Sequence, residues 1–211
     1  MTVALIDDDM AVLDSLGMLL RNRGIAVQCF TSAEAFLARS DSEPVTCIVS
    51  DIRMPGLSGL ELQAVLRERG SMVPLILITG HGDIAMAVAA IKLGAFDFIE
   101  KPLEDQKLME SVRRAAESAK QQQEEHDQLA DTHRRIAELS LRQLEVLELV
   151  AKGFSNKEIA LRLGISPRTV ENYRAWVMEK MGATNLAELV RMVVQLEAAA
   201  GPLGELHKRA P

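Results

Sequence analysis

The chain lacks the features that would place it outside the cell or across a membrane. Its 211 residues include two cysteines, Cys29 and Cys47, each inside an apolar run, which is too few for a disulfide framework. Both are expected to serve as small hydrophobes in a reducing compartment. No apolar run approaches the roughly 20 residues needed to cross a bilayer, so no membrane partner is expected. The first residues run straight into VALIDDD, without a basic n-region or a small-residue cleavage site, so a cytoplasmic location is expected. The four histidines, His81, His126, His133 and His207, offer no Cys/His zinc spacing, and no internal repeat is found.

What is present describes a globular protein. Apolar residues make up 48% and charged residues 26% of the chain, which excludes collagen-like and largely disordered classes. The net charge of −6 is unevenly spread: residues 1–119 carry 11 basic and 17 acidic side chains, whereas residues 140–196 carry 8 and 6. An acidic first part followed by a mildly basic second part points to two functions in series.

Residues 1–119 alternate short apolar runs with amphipathic stretches, the pattern of an α/β domain with a parallel sheet. The candidate strands are 3–6, 25–30, 45–50, 74–79 and 96–100. Gly24 suits the end of the first helix. Thr31 with Glu34, and Ser58 with Glu61, have the spacing of capping boxes opening the second and third helices. Five β/α units with helices on both faces give a doubly wound five-stranded parallel sheet, whose ligands sit beyond the strands' carboxyl ends. Residues 103–139 contain neither Pro nor Gly and read as a last helix running into a helical linker, 120–139. Leu129, Thr132, Ile136 and Leu139 have a short a/d spacing, which suits either a coiled coil or a solvated spacer. Residues 140–200 read as all-helical, and 201–211 as a mobile tail.

At the strand ends the sheet gathers a chemical constellation. Asp7, Asp8 and Asp9 follow the first strand, Asp51 the third and Lys101 the fifth, while Thr79 ends the fourth. Asp9 suits a helix N-cap. Converging carboxylates repel unless a cation sits among them, and Mg²⁺, hard and content with few carboxylates plus water, is the expected ion. Lys101 and Thr79 supply donors for an incoming anion. A carboxylate nucleophile with these neighbours suits phosphoryl transfer to Asp51.

The stretches IDDD, SDIRMPGLSG, ITGHGD and DFIEKP resemble those of two-component receiver domains, in order and spacing. The resemblance implies the flavodoxin-like strand order 2-1-3-4-5 and Asp51 as phosphoacceptor. It implies a metal held by Asp7, Asp8, Asp51 and the Arg53 backbone carbonyl. Thr79 is then the switch hydroxyl, Lys101 the phosphate-binding lysine and Phe98 the switch aromatic, with a cis bond between Lys101 and Pro102.

Two short helices joined at Gly164-Ile165 give a helix-turn-helix, with Ser166 as cap and Pro167 at the first position of the second helix. Val170, Val177 and Met181, with Tyr173 or Arg174 between, fall on its buried face. Arg168, Glu171, Asn172 and Ala175 form the opposite stripe, placed to touch base edges in the major groove. Lys157, Arg168 and Thr169 are candidates for phosphate contacts. Glu171 suits a cytosine amino group and Asn172 an adenine. Ser166 and Arg174 complete the candidate DNA-contacting set.

Residues 140–200 resemble the LuxR-type four-helix DNA-binding domain, with helices at about 141–152, 156–163, 167–181 and 185–196. With the first resemblance, the chain is identified as a member of the NarL/FixJ response regulators, most similar to FixJ-like ones. Tyr173 stands where many members have His. Of the last-helix stripe Leu186, Leu189, Val190 and Val193, most is expected in the intramolecular core, with Met192 and Leu196 facing a second copy. The family implies a sensor histidine kinase as phosphoryl donor, double-stranded promoter DNA as target and RNA polymerase as a further partner. It also implies a homodimer on phosphorylation; the face formed by residues 84–93, 96–100 and 104–118 is expected either to pair two copies or to release the DNA-binding part. The chain is expected to accept a phosphoryl group rather than turn over a substrate, with at most slow self-dephosphorylation. Two rivals differ in kind. An Asp-nucleophile phosphatase would place a second Asp two residues after the nucleophile, where this chain has Arg53. A phospho-adaptor would use the C-terminal helices to bind protein or RNA.

Overall fold

Five short apolar strands pair in parallel in the order β2-β1-β3-β4-β5, as β1 (Thr2–Ile6), β2 (Ala26–Phe30), β3 (Cys47–Asp51), β4 (Leu75–Thr79) and β5 (Asp97–Glu100). The computed structural model describes residues 1–39, 44–80 and 84–203, with the backbone alone at Ile84 and Ala85. Period-two alternation sends successive side chains to opposite faces of the sheet. Val3, Leu5, Val49, Ile76 and Ile78 pack under α1 (Met10–Asn22) and the first turns of α5 (Asp105–Ala137). Ala4, Ile6, Ile48 and Leu77 pack under α2 (Ala33–Leu37), α3 (Gly59–Glu68) and α4 (Ile84–Lys92). Helices on both faces leave no strand of the middle open to water. β3 and β4 are buried along their whole length.

Most helix ends follow the local signals. Asp9 caps α1 through the Ala11 amide, and Gly24 follows it with φ 77°. Ser58 and Glu61 form the expected capping box on α3. The box expected from Thr31 and Glu34 does not form. Ser32 caps α2 instead, and Glu34 Oε1 accepts from the Leu57 amide at 2.7 Å, a partner 23 residues away. Of the two cysteines, Cys47 is buried, and desolvation pushes its thiol up to about 12. Cys29 does not serve as a core hydrophobe: it is exposed on the edge strand β2, where Arg21 Nη2 donates to its sulfur at 3.7 Å.

The chain divides into two compact units, residues 1–123 and 124–211, with the boundary inside α5. The second unit adds α6 (Leu141–Ala151), α7 (Asn156–Leu163), α8 (Pro167–Met181) and α9 (Leu186–Ala200). Its core is built from Leu147, Ile159, Val170, Val177 and Val193, and it takes in Ile136 and Leu139 as well, each at most 3% exposed. The a/d stripe of the expected linker therefore turns into this unit's own core, and its last two turns are not a spacer. Arg135 Nη1 donates to the Met181 carbonyl at 2.7 Å, and Lys180 Nζ donates to that of Glu138 at 2.8 Å, fixing the same segment to the end of α8. The start of the expected tail is also docked, since Leu203 is 1% exposed in this core. Residues 204–211 lie outside the described residues. Leu189, Val193 and Leu196 are buried, so Leu196 belongs to the core and not to an outer face, while Leu186 and Val194 are exposed.

A carboxylate–lysine site and a helix-turn-helix surface

The sheet register brings residues distant in sequence to one edge. Asp51 ends β3 opposite Ile78, and Thr79 ends β4 opposite Glu100, with the Lys101 amide donating to the Thr79 carbonyl at 2.7 Å. Asp7, just past β1, is 5% exposed and Asp51 7%. Between them stands Lys101, whose Nζ donates to Asp51 Oδ1 at 2.8 Å and to Asp7 Oδ2 at 3.1 Å. The second oxygen of each carboxylate takes a backbone N–H: Arg53 to Asp51 at 2.8 Å, Asp9 to Asp7 at 2.9 Å. The approach of α3 requires Gly59, because a Cβ there would stand 2.5 Å from the Asp51 carbonyl oxygen.

Burial shapes the charges. Desolvation raises the Asp7 carboxyl above its ordinary value, outweighing the bonds from the Asp9 amide and Lys101. Burial works against the Lys101 ammonium, but its bonds to Asp51 and Asp7 outweigh that and raise it overall. The lysine thus stays charged at neutral pH. Thr79 is 1% exposed beside this cluster, and Phe98 is half-buried on β5. Asp8 and Arg53 are exposed. The Lys101–Pro102 bond is cis, as the family resemblance implies. His81 lies outside the described residues. No helix among the described residues is long and apolar enough to cross a membrane.

The donor set also bears on the expected metal. Among the described residues no three acidic, His or Cys side chains form a complete cage for an ion. Mg²⁺ does not ask for one, because it keeps several waters and takes one or two carboxylates. Asp7 and Asp51, buried and already meeting at one ammonium, fit that ion; Asp8 stands outside their hydrogen-bonded cluster.

In the second unit the site is a surface. Ser155 and Glu158 form a capping box that opens α7, and Gly164, with φ 66°, closes it. Ser166 caps α8 through the Thr169 amide, with Pro167 at the helix start. Val170, Val177 and Met181 are buried beneath, with Tyr173 packed against the same core. Arg168, Glu171, Asn172 and Ala175 are exposed together, as is Lys157. Several of these polar groups hold one another. Arg168 pairs with Glu171 at 3.1 Å, the Ser166 and Thr169 hydroxyls bond at 2.8 Å, and Arg174 Nη1 donates to Asn156 Oδ1 at 2.8 Å. Asn156 and Trp176 are the residues that sequence reasoning missed. Asn156 ties α7 to α8 through a partner 18 residues on, which no local spacing announces. Trp176 is 49% exposed and meets Tyr173 edge to face at 5.4 Å. It lies one turn after Asn172, a spacing that could have found it.

A doubly wound sheet with paired carboxylates and a lysine at its carboxyl edge, followed by a helix-turn-helix unit, defines the class of two-domain response regulators. Residues 3–113 match the response regulator receiver domain, and residues 137–193 match the bacterial regulatory proteins of the luxR family. The transcriptional regulatory protein FixJ of Azorhizobium caulinodans is 50% identical over 91% of this chain and 91% of its own length. The response regulator protein TmoT of Ectopseudomonas mendocina is 43% identical over 92% of this chain and 89% of its own. Among solved structures, the response regulator StyR has a TM-score of 0.78 at 37% identity, covering 92% of this chain and 98% of that one. Full-length FixJ from B. japonicum has a TM-score of 0.58 at 44% identity, covering 93% and 97%. The chain belongs to the receiver–LuxR family of transcriptional response regulators, among its FixJ-like members.

Proposed function

We propose that this chain is a transcriptional regulator activated by phosphorylation of Asp51, with a sensor histidine kinase as donor and double-stranded promoter DNA as target. The observation that carries the reading is the meeting of Asp51 and Asp7 at the Lys101 ammonium beside Thr79. An Asp51 oxygen attacks phosphorus, the bond to the donor's imidazole nitrogen breaks, and the product is an acyl phosphate on Asp51. Lys101 already holds Asp51 Oδ1 and is placed to neutralise charge on the transferred group. Mg²⁺, held by Asp7 and Asp51 with Asp8 and the Arg53 carbonyl nearby, would supply further charge neutralisation for the phosphoryl oxygens. The Arg53 amide fixes the other Asp51 oxygen and so orients the nucleophile.

The new anion draws the Thr79 hydroxyl and the Lys101 ammonium toward itself, and Phe98 turns inward as Thr79 moves. A shift of a few kcal/mol between two receiver states suffices for output. The face formed by α4, β5 and the first part of α5 then pairs two copies, so that two α8 helices read half-sites about one helical turn apart. RNA polymerase is the partner such a complex would recruit. The chain accepts a phosphoryl group without turning over a substrate, apart from slow hydrolysis of its own acyl phosphate.

The test joins both halves. The full chain is incubated with acetyl phosphate and Mg²⁺, and the modified peptide is located by mass spectrometry; the gel shift on duplex DNA is measured before and after. Modification at Asp51, lost in Asp51→Asn together with the stimulated shift, is the expected result. Stimulation that persists in Asp51→Asn rejects the mechanism. A shift stronger on single-stranded RNA than on duplex DNA supports the adaptor reading instead, and sustained turnover of a small phosphate ester supports a phosphatase.

A further inference from the structure

At the opposite end of β4 from Thr79, a cleft of about 600 Å³ opens among the end of α3, the end of α4 and α5. Its volume falls within the range of small-molecule sites. Leu66, Val73, Leu93 and Phe96 give it an apolar lining, and two cations, Arg67 and Lys92, stand on its wall. No Asp or Glu lines it, in a chain whose net charge is −6. Neither cation has an acidic partner among the described residues, in contrast to Lys101, which holds two.

The third observation lies in the same wall. Gln63 is 7% exposed and donates through Nε2 to the Leu93 carbonyl at 3.3 Å. Its Oε1 is buried with no hydrogen-bond partner, alone in this among the described side chains. Such an atom is costly to leave unmatched. Exchanging the two ends of the amide would set its oxygen against the Leu93 carbonyl, so the acceptor is the end left over.

We propose that this cleft binds a small organic anion with an apolar body and a hydrogen-bond donor. Its anionic group lies with Arg67 and Lys92, its body covers the apolar lining, and its N–H or O–H donates to Gln63 Oε1 once a small turn of that buried side chain brings the oxygen to the cleft wall. Burial of the apolar body removes water from the lining, and the cations favour the charged form of the ligand over a neutral analogue. The site is independent of Asp51: it uses the amino-terminal ends of the strands, four residue steps of about 3.3 Å along β4 from the phosphoryl edge.

The probe is 4-hydroxybenzoate, titrated into the ¹⁵N-labelled full chain and followed by ¹H–¹⁵N correlation spectra. Benzoate is the arm lacking the donor, and 4-hydroxybenzamide the arm lacking the charge. Saturable shifts at the Gln63 side-chain amide and the backbone of residues 70–75 and 92–96 are expected, with each lesser analogue weaker by about tenfold. Arg67→Gln with Lys92→Gln should weaken 4-hydroxybenzoate to the level of the benzamide. Gln63→Leu should remove its advantage over benzoate while leaving benzoate itself unchanged, a result that mere loss of folding would not give. Absence of saturation into the millimolar range overturns the proposal. So do shifts centred on residues 51, 79 and 101, or an affinity indifferent to both variants.

Discussion

The two units make their sites by opposite means. In residues 1–123 the chemistry is assembled from four strand ends, so that Asp7 and Lys101 meet across 94 positions of sequence, and it is buried. In residues 124–211 the surface comes from one run, α7, a turn and α8, and its polar groups are exposed and held mainly by partners three residues away. A buried constellation depends on the whole sheet and tolerates little; a solvated stripe depends on its own helix and can change residue by residue. This contrast also explains how each unit can respond. One new charge at the strand edge disturbs a cluster in which two carboxylates share one ammonium away from bulk water, whereas no single group on α8 has comparable leverage.

The sharpest break in the comparison would come from Ile136, which sits on α5 yet packs with the second unit. Ile136→Ala should destabilise that unit by about 2–5 kcal/mol and leave the first unit's melt unchanged, as urea unfolding followed by residue-resolved hydrogen exchange would show. Equal destabilisation of both units would mean that the boundary is misplaced. Next in size, Lys101→Ala should slow phosphorylation by acetyl phosphate about a hundredfold, because the donor it removes is preorganised on Asp51; a change under about threefold would remove the lysine from the chemistry. Lys157→Ala should be milder and uniform. It should weaken every duplex similarly and reduce the slope of log K against log salt by about 0.9, if it meets one phosphate.

The smallest effect is one of pH. The Ser155 hydroxyl and then its amide hold Glu158 below its ordinary value of 4.5, and those of Thr184 do the same for Glu188. A depressed folded value means that the stabilisation is present above 4.5 and is lost as pH falls through the lower folded value. Thermal melts of the second unit should therefore lose stability on acidification across that window. Glu158→Gln with Glu188→Gln should flatten the loss, and an unaltered slope would show that the caps do not contribute.

Legibility followed the same division. Strand and helix positions were readable because they rest on local alternation and caps, and the four motifs located every member of the buried cluster. The Thr31 box was misjudged because a hydroxyl one residue on, Ser32, took the cap and Glu34 found the Leu57 amide across the fold. Leu129, Thr132, Ile136 and Leu139 announced an apolar seam, but not which surface would receive it, since periodicity carries no information about partners. The bond between Asn156 and Arg174 and the orphaned Gln63 oxygen are likewise products of tertiary packing. Trp176 was the exception: a helical projection alone would have set it beside Asn172.

The docking of Ile136 and Leu139 governs where this protein can be cut and recombined. A recombinant fragment beginning at Ser140 would strip two apolar plugs from the remaining helices and leave a hole facing water. One beginning near Glu124 keeps them. A chimera that grafts this output module onto another sensor should accordingly splice within the long helix, ahead of Leu129, so that the borrowed cassette arrives with its own lid.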